Sequence, residues 1–290
     1  MQKTEITAYA KVNFILNVLG QRPDGYHEVE TVMQAVGLHD SVTVGYESAA
    51  GAPGTDIFLD PGRPDLPADG DNLAWRAAVK MHERFHADKR DLIRICVVKR
   101  IPVAAGLAGG SADCAAVING LARLWNIPDE QALLAAGAEL GADVPFCILA
   151  QRGVPAAIGT GTGTELRPVE PTRCRIVLTT PPVSVPTRSV YGELSPADCA
   201  ERADTDAFLS ALPLKEKTAV MSNHLQAPAE RLFPEIGSVI DAHGSLYPAS
   251  LHTQLSGSGP TVFSVYEPDC AVEIPESFSD FQTIVCNTVV

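Results

Sequence analysis

The sequence predicts an α+β protein built in two lobes. Three observations carry that expectation. Extended apolar patterns open the chain, amphipathic helical patterns occupy residues 72–140, and beyond a Gly/Thr-rich connector at 159–164 a second series of helices and strands begins. The division is placed near 155, giving an N-terminal domain 1–155 and a C-terminal domain 156–290. With 46% hydrophobic and 20% charged residues in 290, the chain has the makeup of a packed globular protein.

The elements follow in order. Ile6 to Val18 reads as a strand, and Gly20-Gln21-Arg22-Pro23-Asp24-Gly25-Tyr26-His27 turns the chain, because Pro23 fixes its own φ and Asp-Gly favours a turn. Val29 to Leu38 resumes the extended pattern, which leaves Tyr26 and His27 at the rim of a hairpin-like unit. Further strand is expected from Val42 to Leu59, then a surface loop to Asp71. Leu73, Ala77, Ala78, Met81 and Phe85 recur at helical spacing, so Asn72 to His86 is a helix. Leu92 to Val98 is a strand that runs into a small-residue loop, and Ala112 to Trp125 is the helix beyond it. Pro128 to Leu140 forms the next helix, with Pro in its first turn and Gly141 as a left-handed stop that delivers Ala142-Asp143-Val144-Pro145-Phe146. In the second half, strands are expected at Arg175 to Thr180, Leu251 to Ser256, Val262 to Tyr266 and Thr283 to Val289.

Composition narrows the function. Lys and Arg number 22 against 35 Asp and Glu, and the net charge of -13 repels phosphate backbones and anionic bilayers at long range. Nucleic acid and membrane surfaces are therefore not expected as partners, and a phosphate ligand must be held by a local site. The seven cysteines are scattered and form no C-x-x-C pair, which reads as reduced thiols in a cytoplasmic protein. Met1 to Glu5 leads straight into a strand pattern, and no apolar run approaches the ~20 residues that a membrane helix needs.

The segment Pro102-Val103-Ala104-Ala105-Gly106-Leu107-Ala108-Gly109-Gly110-Ser111 is the strongest signal. Small residues let a backbone approach an oxyanion, and the N–H groups and dipole of the following helix start favour negative charge. Ser111 can cap that helix or offer its hydroxyl to a phosphate. The segment is neither G-x-x-x-x-G-K-[ST] nor G-x-G-x-x-G, and a loop kept small only for helix–sheet packing is the plain alternative. His82-Glu83-Arg84-Phe85-His86 fits the H-E-x-x-H spacing of a zinc helix, but no third ligand follows, so it is read as a solvated helix face and no residue is assigned to a metal.

Three segments carry a family resemblance. Pro102 to Ala112 resembles the phosphate-binding loop of the GHMP kinases, Leu255-Ser256-Gly257-Ser258-Gly259-Pro260-Thr261-Val262-Phe263 resembles their C-terminal glycine motif, and Ala8-Tyr9-Ala10-Lys11-Val12-Asn13 resembles their N-terminal motif. Within the family, Gly20 to His27 and Leu140 to Phe146 are similar to segments of the branch whose substrate carries a cytidine diphosphate. The resemblance implies a two-lobed fold with an N-terminal lobe of the ribosomal-protein-S5-domain-2-like type and a ferredoxin-like C-terminal lobe. It implies ATP as co-substrate, with Mg2+ on its phosphates, and transfer of the γ-phosphoryl group to the 2-hydroxyl of 4-diphosphocytidyl-2-C-methyl-D-erythritol in non-mevalonate isoprenoid biosynthesis. Small-molecule substrates and a monomer or weak homodimer go with it.

On the matching positions, the resemblance implies Lys11 and Asp143 as the catalytic pair. The carboxylate takes or orients the hydroxyl proton, and the cation offsets charge on the moving group. It implies Pro102, Val103, Ala104, Ala105, Gly106, Leu107, Ala108, Gly109, Gly110, Ser111 and Ala112 for the phosphates of ATP, with Asn72 and Lys99 near its adenosine. Asn13, Tyr26, His27, Thr187 and Tyr191 are the implied residues for the cytidine substrate, Tyr26 and Tyr191 stacking on the base.

Some positions depart from the family pattern. Ala105 and Ala108 stand where many members have Gly or Ser, so the loop keeps its shape unless either must be left-handed. Asp113 follows Ala112 in place of a second Ser-Asn pair, and Asn223-His224-Leu225-Gln226 departs from a more acidic pattern, so that segment receives no catalytic role. A homoserine or mevalonate kinase of the same family, which needs no pyrimidine sandwich, is one alternative. A non-catalytic nucleotide-binding regulator, which tolerates loss of Lys11 or Asp143, is the other.

Overall fold

A computed structural model describes residues 1–247, 249–274 and 281–290. By packing, the chain forms two compact units: Met1–Ala10, His39–Ile101 and Ala108–Val154 make the first, and Lys11–Leu38, Pro102–Leu107 and Pro155–Val290 the second. This partition interleaves the chain, whereas a division at 155 cuts it once. The reason lies in two long strands, β1 (Gln2–Gln21) and β2 (His27–Ser48), each of which gives residues to both units.

In the first unit, β3 (Gly54–Asp60), helix α1 (Leu73–Phe85) and β4 (Arg90–Val98) form a crossover: β3 and β4 are parallel, which requires the intervening helix. β4 then pairs antiparallel with β2, Ser41 opposite Val98 through Ser48 opposite Asp91. The strand expected over Val42 to Leu59 is broken at 49–53, where Ala-Ala-Gly-Ala-Pro cannot sustain a ladder. Helix α2 (Gly109–Leu124) lies on β2 because Gly120 has no side chain; a Cβ there would stand 2.7 Å from Val44 Cγ2. Ala77, Ala78 and Met81 of α1 and Ala115, Ile118 and Leu121 of α2 are fully buried, as their spacing requires. Helix α3 (Glu130–Ala138) starts later than expected because the Asp129 side chain caps it, accepting from Ala132 N at 3.0 Å, so Pro128 precedes the cap. Gly141 is not left-handed; α3 has already ended, and Asp143 stands at the N-cap position of α4 (Val144–Ala150).

In the second unit, β2 pairs antiparallel with β5 (Ala156–Thr160), and β5 with β6 (Glu165–Pro168). The expected connector at 159–164 is thus a hairpin: Gly159 and Thr160 are strand residues, and Gly161 and Gly163 supply the positive φ of the turn. A four-stranded antiparallel sheet follows, built from β7 (Arg175–Thr180), β9 (His252–Leu255), β10 (Val262–Tyr266) and β11 (Gln282–Asn287) in the order β11-β7-β10-β9. Short helices α5 (Thr187–Gly192), α6 (Thr205–Ser210) and α7 (Leu214–Ala219) precede β8 (Ser222–Asn223), which adds to β1 in parallel. Helices α8 (Gln226–Leu232) and α9 (Pro234–Leu246) complete the unit, α9 bearing on β9 and β10. Among the described residues no helix is long and apolar enough to cross a membrane.

Candidate active site

Three segments of the second unit interlock around Gly106. Its carbonyl oxygen accepts from Lys11 Nζ at 3.3 Å and from Ser256 Oγ at 3.0 Å, Lys11 N–H donates to Leu107 O at 3.1 Å, and Thr261 N–H donates to Ala105 O at 3.3 Å. Gly106 has φ +74, and a Cβ would lie 2.3 Å from Ser256 O, so only glycine fits. The loop segment, the N-terminal motif and the C-terminal glycine motif, separate in sequence, thus meet in one place.

Lys11 is 4% exposed, and its ammonium also donates to Asn13 Oδ1 at 2.7 Å. The two share one face of β1 as residues i and i+2. Asn13 Nδ2 donates to Thr31 Oγ1 at 2.8 Å, and Thr31 Oγ1 donates to Ile15 O at 2.7 Å, so the amide is fixed from β2. The segment left without a role fastens this arrangement. Asn223 Nδ2 donates to Leu255 O at 2.9 Å and to Gly257 O at 2.8 Å, and Gln226 Oε1 accepts from Leu255 N at 3.1 Å. His224 Nδ1 accepts from Val18 N at 3.0 Å, continuing along β1 where the two-residue β8 stops. The polar pair at i and i+3 was the available signal, but its targets lie roughly thirty residues on.

Two of the aromatic candidates are in contact. Tyr191, on α5, packs on His27 with ring centroids 4.8 Å apart and 30° between planes, while Tyr26 is 67% exposed. Thr187, at the start of α5, bonds through its hydroxyl to Ser258 of the glycine motif at 2.9 Å.

In the first unit the phosphate-binding candidate is the start of α2. Its N-cap is Ala108, with φ 59 and no side-chain cap, so the first-turn N–H groups of Gly109, Gly110 and Ser111 donate to no capping side chain. Ser111 is the third helical residue and therefore not the cap. Ala104 (φ 53) and Ala108 are left-handed and Ala105 is not. The departure from glycine at 108 is tolerated at a cost of about 1–2 kcal/mol.

Asp143 is half-buried with φ -81, and its carboxylate makes no cap bond to α4. Asn72 does cap α1: Oδ1 accepts from Ala74 N at 2.9 Å and Nδ2 donates to Pro67 O at 2.8 Å. Lys99 donates to Asp40 Oδ2 at 2.5 Å and to Asp113 Oδ2 at 2.8 Å. Burial opposes the Lys99 charge, but the two carboxylates outweigh it and hold the ammonium above its usual range.

His82 and His86 do not form a solvated face. Their Nδ1 atoms lie 2.9 and 3.1 Å from Oδ2 of fully buried Asp91, and the His86 ring stacks on Trp125 at 3.9 Å. A buried acceptor on β4 turned both rings inward, which helix periodicity alone does not reveal. Among the described residues, no group of three or more His, Cys, Asp or Glu side chains is gathered to hold a metal ion.

The family model for the GHMP kinases N terminal domain matches residues 72–151. The 4-diphosphocytidyl-2-C-methyl-D-erythritol kinase of Acetivibrio thermocellus is 37% identical over 270 residues, covering 92% of this chain and 91% of that protein. The enzyme of the same name from Exiguobacterium sibiricum is 39% identical over 274 residues, covering 90% and 88%. Among solved structures, a 4-(cytidine 5'-diphospho)-2C-methyl-D-erythritol kinase matches with TM-score 0.78 at 32% identity, covering 98% of this chain and 99% of that one. Homoserine kinase from Cytophaga hutchinsonii, at 16% identity and TM-score 0.74 over 100% and 95% of the two chains, shares the fold.

Proposed function

We propose, from the premise that the chain belongs to the 4-diphosphocytidyl-2-C-methyl-D-erythritol kinase family of GHMP kinases, that it phosphorylates the 2-hydroxyl of that cytidine compound with ATP, releasing ADP and the 2-phosphate. The observation that carries the reading is the meeting of Lys11, the Gly106 carbonyl and Ser256 in a buried, hydrogen-bonded junction. An ammonium fixed in this way needs no reorganisation when charge builds on a transferring phosphoryl group, which is how a preorganised site lowers a barrier.

In this reading Asp143 takes the proton of the 2-hydroxyl as the oxygen attacks the γ-phosphorus, and Lys11 offsets charge on the equatorial phosphoryl oxygens. Asn13 fixes Lys11 by its 2.7 Å bond and orients the acceptor. The N–H groups opening α2 hold the nucleotide phosphates. Mg2+ would enter with ATP, on its phosphates, and would offset charge on the transferring group; the first turn of α2 carries no acidic residue. Asn72 and Lys99 then act near adenosine mainly by holding structure, since both side chains already have protein partners. His27 and Tyr191 present a stacked aromatic surface to the cytosine, with Tyr26 and Thr187 beside it. Residence in the cytoplasm belongs to the same proposal, supported by two highly charged, water-borne substrates, and a monomer or weak homodimer is proposed with it.

The test is ADP release by the purified protein with ATP, Mg2+ and 4-diphosphocytidyl-2-C-methyl-D-erythritol, run beside homoserine and mevalonate. Selective turnover of the cytidine compound is expected. Faster turnover of either other acceptor would overturn the assignment.

A further inference from the structure

Two carboxylates and one ammonium meet below the start of α2, all within the first unit. Lys99 directly follows β4, and its side chain is 6% exposed. Its Nζ lies 3.5 Å from where a Cβ on Gly109 would stand, so the ammonium sits against the first residue of α2. Asp113, one turn further along that helix, accepts a hydrogen bond from it, and fully buried Asp40 of β2 accepts another. The second oxygen of Asp40 accepts the backbone N–H groups of Arg100 at 2.5 Å and Ile101 at 2.9 Å. One cluster therefore ties together the stem that enters the small-residue loop, the helix that leaves it, and a strand of the sheet.

Stability alone is a poor account of this arrangement. Taking charged groups out of water is costly, and apolar residues of similar volume often serve a fold as well. The charges do not balance either: burial pushes the Asp113 carboxyl up to about 7 against the pull of Lys99, and its Oδ1 is buried with no hydrogen-bond partner. What an apolar cluster would not supply is direction. Short bonds at both stems fix where the first N–H groups of α2 point.

We propose that Asp40, Lys99 and Asp113 form an ionic clamp on the stems of the phosphate loop, in which Asp113 is the positioning residue that sets the first turn of α2 for the phosphates of ATP. The proposal rests on the reading of that turn as the phosphate site. Lys99 acts through the geometry of the loop and not through its own contact with the nucleotide.

Asp113→Ala removes the helix arm of the clamp, whereas Asp113→Asn keeps an oxygen for Lys99. The measurements are calorimetric Kd for ATP, KM for each substrate, and the thermal midpoint. Asp113→Ala is expected to raise Kd and KM for ATP about 10-fold with KM for the cytidine substrate within about 2-fold, and Asp113→Asn to recover most of the loss. Unchanged ATP binding in Asp113→Ala would overturn the clamp, as would equal rises in both KM values that follow a lowered midpoint and are not recovered by Asp113→Asn. If Asp113→Ala does not fold, Lys99→Gln carries the test: weakened ATP binding beside a near-normal Asp113→Asn supports the clamp, and wild-type binding by Lys99→Gln overturns it. A wild-type protein that binds no ATP would overturn the phosphate site and the clamp together, while normal wild-type binding matched by Asp113→Ala overturns the clamp alone.

Discussion

At Ala108 a single methyl group separates this chain from glycine, the residue that a left-handed φ ordinarily favours. Ala108→Gly relieves the conformational cost and adds unfolded-state entropy, a net stabilisation of about 0.5–1 kcal/mol. Urea denaturation should show a higher midpoint at unchanged slope. For Asp143, whose side chain the turn leaves uncommitted to a cap, Asp143→Asn should lower kcat by about 10³-fold while Kd for ATP stays within about 2-fold. A near-normal kcat would remove Asp143 from the proton-transfer role. Single residues differ in how far the sequence discloses them. That Lys11 and Asn13 share a face was legible because a strand puts i and i+2 on one side. The partners of Lys99 were not: Asp40 lies 59 residues away, and only strand pairing brings it near.

Elements show the same contrast. The strand, small-residue loop and helix around residues 98–112 were readable in order, yet α2 begins at Gly109, because the last loop residues are already helical. Apolar periodicity gave α1 its buried stripe but missed His82 and His86, which are polar residues drawn inward by buried Asp91. The packing of α9 on its sheet carries a pH dependence. His243, fully buried, bonds to Ser264 Oγ of β10 at 2.7 Å and Thr179 Oγ1 of β7 at 2.9 Å, and burial pushes its pKa down to about 4 from an ordinary 6.5. As pH falls below 6.5 the unfolded chain takes the proton first, so stability present above 6.5 is lost toward pH 4, by about 3 kcal/mol in all. The thermal midpoint should drop across that window, and His243→Asn, which keeps polar atoms but does not titrate, should flatten the drop. An unchanged pH profile in the variant would contradict this assignment.

At the scale of the molecule, the α+β class and most strands were visible in alternation and turn chemistry, whereas the interleaving of the two units was not. It depends on β1 and β2 being 20 and 22 residues long, and turn signals mark where a strand ends without saying which core each half joins. The same length lets one strand carry apolar residues of the first unit and then Lys11 and Asn13 of the second. The central claim is a transfer of phosphate to one hydroxyl of a cytidine diphosphate compound. Phosphorus NMR of the reaction of purified protein with ATP, Mg2+ and 4-diphosphocytidyl-2-C-methyl-D-erythritol tests it most directly. A new phosphomonoester signal that grows in step with ADP, with the cytidine diphosphate signals retained and the new phosphorus assigned to the 2-position, is the predicted result. ADP formed together with free inorganic phosphate and no new phosphomonoester would contradict it.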